Sequence, residues 1–296
     1  MSWQTRAIAP YLRATRKHRH AAAVRAERAL VAPKGPSHPP RRLTRRFAVR
    51  TRTVDGFDVH EVSRPWSVRS ATVMYLHGGG YVSEIQKLHW WLIAKVAANV
   101  DADVRVPIYG LAPKYHADDA IRLMQKLFGD ASAAGPVYVM GDSAGGGLAL
   151  AATLTWMQAG GTPPVGLTLI APWLDIGLRN PAIAAVEPRD PWLTSAGLHV
   201  YARAWAGGLS YDDPRVSPLF GDLTDVPPID LYVGGRDITL PDCRALRDKV
   251  PPDRITYHEE PGALHVYPLL PVPEGRAARR DMVAHIRTAL AEKGRP

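Results

Sequence analysis

Short, largely apolar runs recur along the chain, at 73–76 (Val73, Met74, Tyr75, Leu76), 137–140, 167–170 and 229–233, the last two interrupted only by Thr168 and Asp230. Runs of this length, rich in β-branched and aromatic residues, predict strands buried on both faces. A further strand is predicted over 254–258, and a hairpin over 47–62 turning at Asp55-Gly56. Between the strands lie stretches of good helix formers, such as Leu148-Ala149-Leu150-Ala151-Ala152 running toward Trp156. Strands alternating with helices predict an α/β fold whose mainly parallel sheet carries helices on both faces. A chain of 296 residues suits one such domain with an appendage.

The appendage is at the N-terminus. Trp3, Ala7, Ile8, Tyr11 and Leu12 fall at helical spacing among Arg6, Arg13, Arg16, Lys17 and Arg19, and the prolines from Pro33 to Pro40 end any helix. Residues 1–52 hold fourteen Lys and Arg against the single acid Glu27, so of the total charge of +9 the remainder carries −4. The basic character therefore belongs to the appendage, and the rest of the chain lacks the basic face of a nucleic-acid binder. Three readings of this segment stay open: a cap over a site, a membrane-surface helix or a nucleic-acid arm. No uninterrupted apolar run before residue 70 is long enough for a signal-peptide core or a membrane span. A second insert, at 173–211, carries Trp192, Leu193, Val200, Tyr201 and Trp205 on short helical pieces broken by Pro181, Pro188 and Pro191. The expected division is a cap segment at 1–45 and a catalytic domain at 46–296 containing the 173–211 insert.

Two motifs carry candidate chemistry. Gly141-Asp142-Ser143-Ala144-Gly145-Gly146 places G-x-S-x-G between a predicted strand and a predicted helix. A serine at such a junction sits on a sharp turn with its Oγ exposed, and the small neighbours Gly141, Ala144 and Gly145 let strand and helix close around it. The competing reading is a turn that only packs helix on sheet. His77-Gly78-Gly79-Gly80-Tyr81 follows the 73–76 strand, and three glycines let backbone N–H groups turn toward a ligand. Such donors stabilise the oxyanion of an acyl transfer, each worth roughly 10²–10³ in rate. The chain has no G-x-x-x-x-G-K-[ST] and no strand-bound G-x-G-x-x-G, which argues against a phosphate loop.

A nucleophilic serine in this arrangement takes its acid and base downstream, in that order. Asp237 lies on the loop after the 229–233 strand, and His265 on the loop after the 254–258 strand, so they are the expected acid and base. Asp175 and Asp242 are rival acids, Asp175 the stronger because it follows the preceding strand. His77 is read as a positioner of the glycine loop. The single cysteine, Cys243, excludes an intramolecular disulfide, and without H-E-x-x-H or a cysteine cluster neither a metal nor a cofactor is expected.

With these residues in place, the chain resembles the hormone-sensitive-lipase-like esterases (bacterial family IV, α/β-hydrolase fold-3) from about residue 45 to its end. The resemblance rests on His77 to Gly80, on Gly141 to Gly146, on Asp212-Asp213-Pro214-Arg215-Val216-Ser217-Pro218-Leu219, and on Asp237-Ile238-Thr239-Leu240-Pro241-Asp242. Tyr109-Gly110-Leu111-Ala112-Pro113 is similar to the family's Tyr-Arg-Leu-Ala-Pro, with Gly110 in place of the arginine and Pro107-Ile108 in place of the acidic lead-in. The resemblance implies an α/β-hydrolase fold with a helical cap, Ser143 as nucleophile, His265 as base and Asp237 as orienter. It also implies an oxyanion hole from Gly79, Gly80 and Ala144, with Gly78 in the same loop, and a homodimer formed beside the last strand. The cluster from Tyr267 to Glu274 is similar to a branch containing monoterpene lactone hydrolases and steryl acetyl hydrolases.

The expected activity is hydrolysis of short to medium acyl esters through an acyl-enzyme, with Tyr81, Trp192, Tyr201 and Trp205 as candidate pocket residues. A lactonase would use the same triad on a cyclic ester. A non-catalytic binder on this fold can dispense with the histidine that this chain retains. The expected partner is a small ester or lactone, with no nucleic acid and no membrane contact, in the cytoplasm.

Overall fold

A computed structural model describes residues 2–17, 23–65 and 71–293. Its strands are β1 (Ala48–Val54), β2 (Phe57–Ser63), β3 (Thr72–Leu76), β4 (Asp103–Pro107), β5 (Val137–Asp142), β6 (Gly166–Ile170), β7 (Ile229–Gly234) and β8 (Ile255–Glu260). They form one eight-stranded sheet in the order β1-β2-β4-β3-β5-β6-β7-β8. The first two pairings are antiparallel and the rest parallel. The β1–β2 hairpin turns at Asp55 and Gly56, whose φ angles of 51° and 83° are the positive pair a two-residue I′ turn requires.

Every residue of β3, β5, β6 and β7 is buried, including Thr168 and Asp230, as the largely apolar runs predict. Side chains alternate between two cores: Met74, Leu76 and Val139 enter one, Val73, Tyr75, Tyr138 and Met140 the other. The helices are α1 (Trp3–Leu12), α2 (Ala23–Val31), α3 (Arg41–Thr44), α4 (Lys87–Asn99), α5 (Ala117–Ser132), α6 (Ala144–Gln158), α7 (Ile183–Val186), α8 (Ser195–Ala206), α9 (Leu240–Lys249) and α10 (Pro273–Lys293). Helix α6 is lined with small residues, and eleven of its side chains or glycines, from Ala144 to Leu154, are buried.

The N-terminal helix departs from the expected phase. Trp3 and Tyr11 face solvent, at 73% and 66% exposure, and Ala7 is exposed too, while the inward face is Thr5, Ala9 and Leu12. Hydrogen bonds from Ser2 Oγ and Thr5 Oγ1 to Glu274 Oε2, at 2.8 and 3.2 Å, fix the rotation of α1 against the start of α10. Ala9 and Leu12 then pack with Leu264, Leu270 and Val272, and the half-buried Ile8 joins them. Arg19 lies outside the described residues. Helix α2 packs on α8, so the N-terminal segment and the 173–211 insert meet. No helix among the described residues is long and apolar enough to cross a membrane.

Candidate active site

Ser143 stands where β5 enters α6, with φ 52° and ψ −122°, a backbone conformation that costs a non-glycine residue about 1–3 kcal/mol. The surroundings hold it there. A Cβ on Gly145 would lie 2.2 Å from the Leu76 carbonyl, and one on Gly141 2.3 Å from the Gly145 carbonyl, so only glycine lets strand and helix meet this closely. The Ser143 N–H also bonds the Ile170 carbonyl of the neighbouring strand at 2.8 Å.

Three loops at the carboxyl ends of the strands bring distant residues together. His265 Nε2 lies 2.9 Å from Ser143 Oγ, and His265 Nδ1 lies 3.0 and 2.9 Å from the two carboxylate oxygens of Asp237. Asp237 Oδ1 further accepts from the Thr239 N–H and hydroxyl, at 3.0 and 2.9 Å. Burial disfavours a charged His265, but Asp237 outweighs it and raises the imidazole pKa above 6.5. Neither rival acid joins this group. Asp175 accepts from the Gly177 and Arg179 N–H groups and from the Arg179 side chain, and burial pushes the Asp242 carboxyl up to about 7.

The glycine loop is tied to the serine turn by the residue before Ser143. Asp142 Oδ1 accepts from Tyr75 Oη at 2.6 Å and from the Gly78 N–H at 3.0 Å, and Oδ2 faces His89 Nε2 at 3.3 Å. The His89 Nδ1 accepts the Gln86 N–H, which leaves the proton on Nε2, directed at Asp142. Burial works against the Asp142 charge, yet His89, Tyr75 and Gly78 together hold its pKa below 3.8. The Gly78 N–H is thereby consumed, which removes Gly78 from the expected set of oxyanion donors and leaves Gly79, Gly80 and Ala144. Burial depresses the His77 pKa to about 4, so its ring is neutral near pH 7, stacked on Tyr109 at 4.6 Å.

A cavity of about 110 Å³ opens beside Ser143 and His265, walled by Gly79, Gly80, Trp192, Leu198, Tyr201 and Leu269 among others. Trp192 meets His265 edge to face at 5.6 Å, and the Tyr201 ring packs on Gly80. The other two expected pocket aromatics lie behind the wall. Tyr81 and Trp205 stack on each other at 4.1 Å and are 2% and 1% exposed, because each finds a fuller apolar surface in the other than the cavity provides.

Residues 73–269 match the alpha/beta hydrolase fold family. The chain belongs to the α/β-hydrolase fold family. It is 31% identical to an acetyl-hydrolase of Streptomyces hygroscopicus over 77% of this chain and 79% of that one. It is 29% identical to an esterase of Acinetobacter venetianus over 63% of each. A solved esterase of the bacterial hormone-sensitive lipase family, at 22% identity, superimposes with a TM-score of 0.79 over 98% of this chain and 99% of that one, and so shares the fold. This α/β-hydrolase is a carboxylic ester hydrolase.

Two features of this α/β-hydrolase were not visible in its motifs. Asp190, in the 173–211 insert, is fully buried; its Oδ1 accepts from the Trp192 and Leu193 N–H groups and its Oδ2 from the Ile238 N–H, next to Asp237. It thus fastens the pocket-wall residue Trp192 to the acid loop, and burial together with the Asp237 charge raises its pKa. The departure at Gly110 also finds its reason. A Cβ there would lie 2.3 Å from the Tyr115 ring, which packs edge-on against Phe57 at 5.0 Å in the space a larger residue needs.

Proposed function

We propose that Ser143 is the nucleophile, His265 the general base and acid, and Asp237 the residue that holds His265 in the productive tautomer. The observation that carries this reading is the unbroken chain of contacts from Ser143 Oγ through His265 to Asp237, at 2.9 Å on either side of the ring. With Nδ1–H donating to Asp237, Nε2 presents a lone pair to the serine hydroxyl. Ser143 Oγ attacks the ester carbonyl as its proton passes to Nε2, and the tetrahedral oxyanion takes the N–H groups of Gly79, Gly80 and Ala144. The imidazolium returns that proton to the departing alcohol. Water then attacks the acyl-enzyme, giving its proton to the same Nε2 and releasing the acid and free Ser143.

The substrates are esters with short acyl groups. The cavity of about 110 Å³ is smaller than the 150 Å³ or so that holds benzene, and a relative that acts as an acetyl-hydrolase accords with this size. Residues 1–45 and the 173–211 insert form the cap, because Ile8, Leu12 and Trp192 gather around Leu264, beside His265. A lactone that fits the same cavity would meet the same residues. Rates with a series of p-nitrophenyl esters and with lactones test the assignment, and rates rising with chain length to palmitate would contradict the short pocket.

A further inference from the structure

At the other end of β7 from the Asp237 loop, three side chains from distant parts of the chain converge. His258 Nε2, on the edge strand β8, lies 2.8 Å from Asp230 Oδ1, and His285 Nδ1, on α10, lies 2.8 Å from Asp230 Oδ2. The ligand atoms of the three lie within 4.8 Å of one another. Asp230 is only 5% exposed, yet its Oδ2, the His285 Nδ1 and the nearby Tyr232 hydroxyl are buried atoms without a well-aligned hydrogen-bond partner among the described residues. A buried carboxylate oxygen left without a donor is costly, and a cation shared with the imidazoles would satisfy that oxygen and the His285 Nδ1 at once.

We propose that Asp230, His258 and His285 hold a first-row divalent transition-metal ion, for which Zn²⁺ is the probe. Two imidazole nitrogens with one carboxylate suit Zn²⁺ and its neighbours, whereas Mg²⁺ and Ca²⁺ favour oxygen ligands throughout. Donors about 2.0–2.1 Å from one ion lie about 2.9 Å apart at right angles and about 3.4 Å apart at tetrahedral angles. Each imidazole nitrogen lies 2.8 Å from its own oxygen of Asp230, a spacing close to the first value. The His258 and His285 side chains are 30% and 42% exposed, so solvent reaches the edge of the group although the facing donor atoms are buried. Tyr232 stacks on His258 at 4.2 Å and fixes its ring, and Asp281, one turn before His285 on α10, adds negative charge nearby. An ion here ties the edge strand and the last helix to β7; it takes no part in the ester chemistry at the far end of that strand. Linear metal motifs could not reveal this group, because its members stand on three separate elements.

The test is a Zn²⁺ titration of the untagged full-length chain, stripped with a chelator, against a chromogenic competitor, with thermal unfolding followed in parallel. One equivalent should bind and raise Tm to a plateau at that stoichiometry, and Mg²⁺ should do neither. The double variant His258→Gln/His285→Gln should hydrolyse p-nitrophenyl acetate as the wild type does while binding Zn²⁺ at least about 10-fold more weakly. His285→Gln alone, at the more exposed position, supplies the same comparison if the double variant folds poorly. Undiminished Zn²⁺ affinity in these variants, or a wild-type Tm indifferent to Zn²⁺, overturns the proposal.

Discussion

Replacing Asp142 with alanine should damage catalysis without touching a reacting atom. The substitution removes the oxygen that accepts from Tyr75 Oη at 2.6 Å and the Gly78 N–H at 3.0 Å, and the oxygen facing His89. Tyr75 and Gly78 are buried, so each becomes an orphaned donor at a cost of about 1–3 kcal/mol, or about 2–6 kcal/mol for the two. That is a large fraction of the 5–15 kcal/mol or so that keeps a domain folded. The glycine loop also loses its tie to the serine turn, and a misplacement of about 1 Å costs about 10²-fold in rate. Asp142→Asn keeps an acceptor for Tyr75 and Gly78 but turns an amide toward the His89 N–H, so its loss should stay near 10-fold, the value of weakening charge-assisted bonds to neutral ones. Because the Asp142 pKa is depressed below 3.8, this anchoring is present above that pH and is lost only as pH falls through the lower folded value. Steady-state kinetics with p-nitrophenyl acetate, alongside Tm, checks the ordering. An alanine variant with wild-type kcat would refute the idea that Asp142 holds the loop.

Other expected outcomes follow from the same geometry. Asp237→Asn should lower kcat about 10⁴-fold, whereas Asp175→Asn, whose carboxylate binds Arg179, should leave the rate far closer to wild type; stopped-flow acylation with p-nitrophenyl acetate separates the two. Since His265 must be neutral to accept the Ser143 proton and its pKa is raised, kcat/KM should climb with pH along a limb centred above 6.5. A limb centred at or below that value would contradict the Asp237 pairing. Acetate and butyrate esters should be cleaved faster than hexanoate and far faster than palmitate if the cavity of about 110 Å³ bounds the acyl group.

How far the chain could be read before its structure varied with the range of the forces involved. Strand positions such as 73–76 and 137–140 were legible because burial on both faces imposes apolar side chains on consecutive residues. The Asp55-Gly56 turn was legible because two positive φ angles restrict the residues that can occupy it. The grouping of Ser143, Asp237 and His265 could be anticipated because each lies on a loop that follows a strand, where this fold brings distant residues together. Illegible features depend on contacts between elements far apart in sequence. The rotation of α1 follows from Glu274, some 270 positions on, which turns Thr5 inward and leaves Trp3 outside. The spacing of apolar residues placed Trp3, Ala7 and Tyr11 on the inward face together with Ile8 and Leu12, and only the last two turn inward. The capture of the Gly78 N–H by Asp142, the retreat of Tyr81 and Trp205 into a mutual stack, and the bridge made by Asp190 are tertiary in the same sense.

The most direct measurement is covalent labelling by an active-site-directed p-nitrophenyl phosphonate, followed by peptide mass spectrometry and by turnover in Ser143→Ala. One phosphonyl group per chain should appear on the peptide containing Ser143, release one equivalent of p-nitrophenol and abolish ester hydrolysis. The folded Ser143→Ala protein should take up no label and lose on the order of 10⁶ in turnover. Labelling of another residue, or an alanine variant that still hydrolyses p-nitrophenyl acetate at the wild-type rate, would contradict Ser143 as the nucleophile.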